Sequence, residues 1–145
     1  SASGGDVAWK GDRRIVSGHH AGVIAEREPS AVPRARRWVA GVLGGWGLPG
    51  TAIDDTVLMA GELLANAVRH GEGAVMALDV TWDGHRLRCA VVNHGGDGVR
   101  VADAGVWAES GRGLVLVESL ACAWGTETTA GGRRVWFESD TGEES

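Results

Sequence analysis

The chain has 145 residues, of which 43% are hydrophobic and 23% charged, and its formal net charge at pH 7 is −5. These values are typical of one globular domain with its own core, and the acidic balance argues against a nucleic-acid-binding surface. The chain has no signal-peptide pattern and no apolar run of about 18 residues that could cross a membrane, and its two isolated cysteines, Cys89 and Cys122, indicate buried, reduced thiols in a cytoplasmic protein.

The first third of the chain predicts a loose segment, a strand and a helix. Residues 1–21 are expected to be a loose N-terminal segment, in which residues 7–16 could form an extra strand paired with the next one. A short strand is predicted over residues 22–27. Ser30 is suited to cap a helix, and this helix is expected to continue to about Trp46, where a cluster of glycines ends it.

The clearest predicted element is a second helix, which begins at a cap formed by Thr51 or Asp54 and stops at Gly71. Its apolar side chains recur at the i, i+4, i+7 and i+11 spacing of one buried face. These apolar positions are Val57, Gly61, Leu64 and Val68. The opposite side of the helix carries four polar residues, which an ordinary solvent-exposed face would explain. They are Glu62, Asn66, Arg69 and His70.

The second half of the chain predicts two hairpins separated by a loop and a helix. The first hairpin turns at Asp83 and Gly84, a pair that tight hairpin turns favour. The glycine-rich stretch 94–110 has the length of a functional lid. In chain order we expect strands at 74–82 and 86–93, a helix from 113 to about 123, strands at 124–129 and 133–138, and a flexible tail at 139–145. Helices on one face of a mostly antiparallel sheet make a two-layer α+β sandwich.

Glu62 and Asn66 form the first candidate site. They are one helical turn apart, so their side chains project next to each other. The amide oxygen is a suitable Mg²⁺ ligand, because Mg²⁺ takes oxygen donors and often only one or two of them from the protein. The carboxylate could deprotonate a nucleophile within hydrogen-bond reach. Taken alone, the pair is equally compatible with a polar helix surface.

Two glycine-containing stretches are further candidates. The run Gly111-Arg112-Gly113-Leu114 directly precedes an apolar helix. Glycine lets the backbone approach a phosphate closely, and the N–H groups at a helix start attract anions. Asn93 ends a buried strand and Gly95 follows it, and a polar side chain that leaves a strand there can contact the edge of a ligand. Either stretch could also be a simple turn.

Taken together and in this order, these stretches resemble the motifs of a known protein family. Glu62 and Asn66 with His70-Gly71 resemble the N box of the GHKL (Bergerat) ATPases, in the form found in actinobacterial anti-sigma-factor serine/threonine kinases. The run 111–117 resembles the second glycine box of that family, and 131–137 resembles its closing hairpin. The similarity spans residues 22–138. It implies a histidine kinase-like ATP-binding domain with a mixed, mostly antiparallel sheet and helices on one face.

The resemblance also implies a role for each matched residue. Asn66 would hold the Mg²⁺ that bridges the triphosphate of ATP. Glu62 would be the catalytic base, accepting the proton of an attacking serine hydroxyl on a protein substrate. The segment 94–110 would be the ATP lid. The implied nucleotide contacts are Asn66, Asn93, Gly95, Gly111, Arg112, Gly113 and Leu114.

The sequence departs from the family pattern at Asn93. The first glycine box of the family opens with an aspartate, whose carboxylate accepts a hydrogen bond from the adenine amino group. An amide oxygen accepts the same bond without the charge, and charge-assisted hydrogen bonds are about twice as strong. The closing strand also carries Arg134 where relatives often have a small hydroxyl residue.

Two hypotheses of different classes follow from the resemblance. The first is a kinase that uses ATP and magnesium, binds a sigma factor, phosphorylates an anti-sigma antagonist and so regulates transcription, with a homodimer allowed. The alternative is a non-catalytic module that sequesters a partner and has a degenerate nucleotide site, which Asn93 favours. The detached catalytic domain of a histidine kinase is less favoured, because no dimerisation helix is recognisable before residue 22.

Overall fold

The computed structural model describes residues 13–17, 19–94, 112–129 and 132–141. Its strands are β1 (Arg13–Ser17), β2 (His20–Glu26), β3 (Val75–Trp82), β4 (Arg86–His94), β5 (Ala123–Thr129) and β6 (Gly132–Asp140). They form one six-stranded sheet in the order β1-β2-β3-β4-β6-β5. Every described strand pair is antiparallel, so the described sheet is fully antiparallel rather than mixed.

The helices are α1 (Ala31–Trp46), α2 (Gly50–His70) and α3 (Arg112–Leu120). They cover one face of the sheet, since burial alternates along the strands and the buried apolar side chains of strands and helices form one cluster. The expected two-layer α+β sandwich is therefore confirmed. Within the described part of the chain, no helix is both long enough and apolar enough to span a membrane.

The predicted helix caps were wrong in detail. Ser30 does occupy the N-cap position of α1, but its hydroxyl donates to the Glu28 carboxylate at 3.2 Å and makes no capping bond. Helix α2 begins before Thr51, with Pro49 at its N-cap, because the Pro49 carbonyl accepts the first helical hydrogen bond from the Ile53 N–H at 3.0 Å. Proline is tolerated at this position because a helix start does not use the N–H that proline lacks.

The third helix is shorter than predicted. It ends at Leu120 rather than near residue 123. The reason is that the Cys122 N–H donates to the Glu138 carbonyl at 2.8 Å, which draws the chain into the sheet just before β5 begins. The hairpin turn between β3 and β4 agrees with the prediction, since Gly84 has a φ of 102°, a value that favours glycine.

The two cysteines lie in different environments. Cys89 is fully buried on β4, and burial, followed by the nearby Asp79 carboxylate, raises the pKa of its thiol well above the usual range. Such a thiol is chemically inert. Cys122 is exposed, so the expectation of two buried thiols was wrong for this residue. The cause is its position at the entrance to β5, which is the edge strand of the sheet.

Candidate functional site

Asn66 lies in the next-to-last turn of α2 and is fully buried. Helix α2 packs against α1, α3 and β4, so protein surrounds it on more than one side. A solvated helix face therefore does not explain Asn66. Burying a polar side chain is unfavourable unless its hydrogen bonds are completed, so a buried Asn66 needs hydrogen-bond partners.

The hydrogen bonds of Asn66 are only partly made within the chain. Its Oδ1 accepts a bond from Arg69 Nη2 at 2.5 Å, whereas its Nδ2 is buried and has no partner among the described residues. One helical turn further along, His70 Nε2 is also buried and also has no partner among the described residues. An amide oxygen has two lone pairs, so Asn66 Oδ1 keeps one for another group while it holds Arg69.

Asn93 meets the end of α2 from the sheet. The residue is 5% exposed, and its Oδ1 is buried without a partner among the described residues. The carboxamide lies against Gly71, so closely that a Cβ at that position would overlap both Asn93 Oδ1 and the Ala67 carbonyl oxygen. The absence of a side chain at Gly71 therefore lets the last residue of the N box and the end of β4 come into contact.

Glu62 is half-buried on α2, one turn before Asn66. Its carboxylate makes no hydrogen bond or ion pair with any other residue that the structure describes. The neighbouring Gly61 is covered by the side chain of Arg36 from α1, whose Cδ lies 2.9 Å from the place of a Cβ at Gly61. Helices α1 and α2 are therefore in close contact next to Glu62.

Most of the remaining predicted site residues belong to the stretch that resembles the second glycine box. Arg112, Gly113 and Leu114 form the first turn of α3, and α3 packs on α2. Gly95, Gly111 and most of the expected lid at 94–110 lie outside the described residues. The structure therefore brings the end of α2, the end of β4 and the start of α3 into one region.

Arg133 is a residue that the sequence reasoning missed. It pairs with Asn93 across β4 and β6, and the residue is 5% exposed. Directly opposed residues of an antiparallel pair share a face, so Arg133 and Asn93 both belong to the helix side of the sheet. Arg134, the position considered from the sequence, is opposed to Val92 on the other face. The alternation with buried Val135 and Phe137 was the signal that could have identified Arg133.

Arg27 is the second residue that was missed, and it anchors the end of α2. Its Nη1 donates to the Val68 carbonyl at 2.7 Å, and its Nε donates to the Gly73 carbonyl at 2.8 Å. Its backbone N–H donates to the Ala74 carbonyl at 2.9 Å. The last carbonyls of a helix have no partner within the helix, and a cation suits that end of the dipole. Arg27 thereby ties β2 to the turn that follows the N box.

We expect Arg27→Ala to lower the free energy of unfolding by about 1–3 kcal/mol, because two partly buried carbonyls lose their charged donor. Urea unfolding followed by circular dichroism measures the change. Arg37→Ala is the matched control, since Arg37 is exposed on α1 and surface substitutions usually stay within about 0.5 kcal/mol. Equal midpoints for the two variants would show that the Arg27 anchor contributes nothing.

The chemistry of this region fits a polar ligand such as a nucleotide. It presents an unpaired acceptor at Asn93 and an unpaired donor at Asn66, both buried. Among the described residues no group of three or more His, Cys, Asp or Glu side chains could hold a metal ion. A cation at Asn66 would therefore depend on ligand oxygens and water for most of its coordination, as Mg²⁺ commonly does.

Comparisons with known proteins bear on the family and on the fold. Residues 25–138 match the family model described as the histidine kinase-like ATPase domain. The chain is also similar to the crystal structure of the RsbU and RsbW domains of Rv1364c from Mycobacterium tuberculosis, with a TM-score of 0.61 and 21% sequence identity. That similarity covers 88% of this chain but only 33% of the other, and at this identity it shows a shared fold alone.

Among curated proteins no match to the chain is found. The family match runs through β3, β4, α3 and both strands of the closing hairpin, and it includes all of α1 and α2. It therefore covers every element of the region where Asn66 and Asn93 meet. The chain belongs to the histidine kinase-like ATPase domain family, whose nucleotide is ATP.

Proposed function

We propose that the chain is an ATP-dependent serine/threonine protein kinase of the anti-sigma type, which binds a sigma factor and phosphorylates a small antagonist protein. The observation that carries this proposal is the buried contact between the N box at the end of α2 and Asn93 at the end of β4. Glu62 stands one helical turn before buried Asn66 and faces no competing ion pair among the described residues.

In this mechanism each residue has a separate task. Glu62 accepts the proton of the substrate serine hydroxyl while the hydroxyl oxygen attacks the γ-phosphorus of ATP and ADP departs. Asn66 would hold Mg²⁺ through its amide oxygen, and the ion would supply neutralisation of charge on the phosphates. Backbone N–H groups at the start of α3, beginning at Arg112, bind phosphate oxygens. Asn93 contacts the base. Positioning and charge neutralisation account for most of the rate, as in other phosphoryl transfers.

The binding part of the proposal is tested by calorimetric titration with Mg²⁺-ATP. We expect saturable binding by the parent chain, and a loss of at least tenfold in affinity for Asn66→Ala, because the amide oxygen that holds the metal is gone. Asn66→Asp, which keeps the volume and an oxygen ligand, should retain Mg²⁺-dependent binding. Equal affinity of the parent and Asn66→Ala would remove Asn66 from the site.

A groove between α1 and α2 supports an acidic protein substrate. It has a volume of about 380 Å³ and is lined by Pro33, Arg36, Arg37, Ala40 and Val57. Both arginines are exposed, and neither makes an ion pair with another described residue. Arg36 also covers Gly61, the residue before Glu62. A serine-bearing segment flanked by carboxylates would therefore dock beside the proposed base.

We expect Arg37→Glu to weaken binding of a synthetic acidic seryl peptide by about fivefold or more, since reversing one charge at such a contact is worth about 1 kcal/mol. Fluorescence anisotropy of the labelled peptide measures it, and the difference should shrink at high salt. Arg86→Glu is the control for net charge, because Arg86 is exposed on β4, is not part of the groove lining, and has its ion pair with Glu138. Unchanged peptide affinity in Arg37→Glu would contradict the docking surface.

The second candidate function is a module that sequesters a protein partner without catalysis. It is favoured by Asn93, which lacks the charge of the family aspartate, and by Arg69, which already occupies one lone pair of Asn66 Oδ1. The calorimetric titration separates the two functions, because the sequestering module would give no saturable heat at millimolar Mg²⁺-ATP.

A further inference from the structure

Asn93 and Arg133 form a buried polar pair at the end of the sheet. They are directly opposed across β4 and β6, and each residue is 5% exposed. Their shared face is the one that the helices cover, and Asn93 touches the end of α2 at Gly71. The residue that would contact the nucleotide base is therefore the amide Asn93, and its cross-strand neighbour is the guanidinium of Arg133.

The two side chains offer different hydrogen bonds from those of a carboxylate. An ionised carboxylate only accepts hydrogen bonds, whereas an amide both accepts and donates, and a guanidinium only donates and stays charged. Adenine presents an amino donor at its 6-position beside the N7 acceptor. Guanine presents two acceptors there, O6 and N7, and arginine is the commonest partner of that edge. A carboxylate thus selects the 6-amino purine, while donors suit the 6-oxo purine.

We propose that the pair Asn93–Arg133 makes the base subsite tolerant of 6-oxopurines, so that GTP and ITP bind with affinities within about tenfold of that of ATP. This inference rests on the proposed function, because it places the base of the bound nucleotide at the end of β4. It goes beyond that function by naming the class of nucleotide that the site accepts.

One side chain can serve both kinds of purine. Asn93 Oδ1 is buried without a described partner, and in that orientation it accepts from the amino group of adenine. The terminal torsion of an asparagine has two broad wells related by a half-turn, and the rotated amide donates its NH₂ to O6 of guanine. Arg133 can donate to N7 of either purine, but only a 6-oxo purine offers it a second acceptor at O6, so its presence favours the 6-oxo purine.

The test is calorimetric titration of the parent chain and of Asn93→Asp with the Mg²⁺ complexes of ATP, GTP, ITP and CTP. We expect the three purine nucleotides to bind the parent within about tenfold of one another, with CTP much weaker because its single ring contacts the subsite less. In Asn93→Asp the affinities of GTP and ITP should fall at least tenfold relative to ATP, since a carboxylate repels O6.

Arg133 is tested separately with a matched control on the same strand. Arg133→Met should lower the affinity of GTP relative to ATP by about tenfold, and Arg133→Lys should restore part of it, which also guards against a folding defect in the methionine variant. Arg134→Met removes the same group from the opposite face of β6 and should leave the ratio unchanged.

The outcomes distinguish this inference from the function on which it rests. A parent chain that binds ATP more than tenfold better than GTP overturns the inference alone, as does equal binding of CTP, which would mean that the base is not contacted. A parent chain that binds none of the nucleotides overturns the proposed function together with the inference.

Discussion

Replacing Glu62 by glutamine is expected to lower the rate of phosphoryl transfer by about 10²–10⁴-fold, the usual contribution of a positioned general base. The amide keeps the shape of the carboxylate but cannot accept the proton of the attacking hydroxyl. Nucleotide affinity should change little, because Glu62 contacts neither Asn66 nor Asn93 through a hydrogen bond in the described structure. Transfer of radiolabelled phosphate from ATP to the acidic seryl peptide measures the rate, and calorimetry measures the nucleotide affinity.

Glu72→Gln is the matched control for this substitution. Glu72 is exposed just after α2, so the same chemical change there should leave both rate and affinity as in the parent. Equal rates for the parent and Glu62→Gln would remove Glu62 from the mechanism. A parallel loss of rate and affinity would instead assign Glu62 to nucleotide binding.

Replacing Gly71 by alanine is expected to destabilise the fold by about 1–3 kcal/mol, the range for overpacking a filled site. The backbone at Gly71 is extended, with a φ of −78° that any residue adopts, so the effect is steric rather than conformational. The new Cβ overlaps Asn93 Oδ1 and the Ala67 carbonyl oxygen. Because backbone atoms cannot turn aside, Asn93 must leave the end of α2, and nucleotide affinity should fall with stability.

Gly41→Ala is expected to change the stability of the fold in the opposite direction. Gly41 is exposed in the middle of α1, and nothing lies within 4 Å of the place of its Cβ. Alanine in a helix interior is more stable than glycine by about 0.5–1 kcal/mol, so this variant should gain stability and keep its nucleotide affinity. Urea midpoints compare the two variants. A neutral or stabilising Gly71→Ala would show that the contact with Asn93 is loose.

The elements were predictable because they depend on local periodicity and turn chemistry. The change from helical spacing to strand spacing after residue 73 correctly separated α2 from β3, and Asp83-Gly84 correctly marked the hairpin. The helix caps were predicted less well, because Pro49 and Thr51 are both plausible starts and the choice depends on which carbonyl first accepts a helical bond. The division of the chain at residues 21 and 138 stays a prediction.

The burial of the site was not predictable in the same way. Asn66 lies on the side of α2 that periodicity assigns to solvent, yet it is fully buried, because α2 packs against α1, α3 and β4 at once. Periodicity along one helix reports only one buried face. The roles assigned to Glu62, Asn66 and Leu114 came from the order of motifs and remain to be tested by the variants above.

The sequence by itself determined the order of elements, the two-layer architecture and the family, because hydrophobic spacing and motif order are properties of the chain alone. Only the tertiary structure decided which polar groups meet. Asn93 and Arg133 are 40 residues apart in the chain and become neighbours through the register of β4 with β6, and Arg27 reaches the end of α2 through the pairing of β2 with β3. Strand register sets such contacts, because a shift of one residue would turn each side chain to the other face.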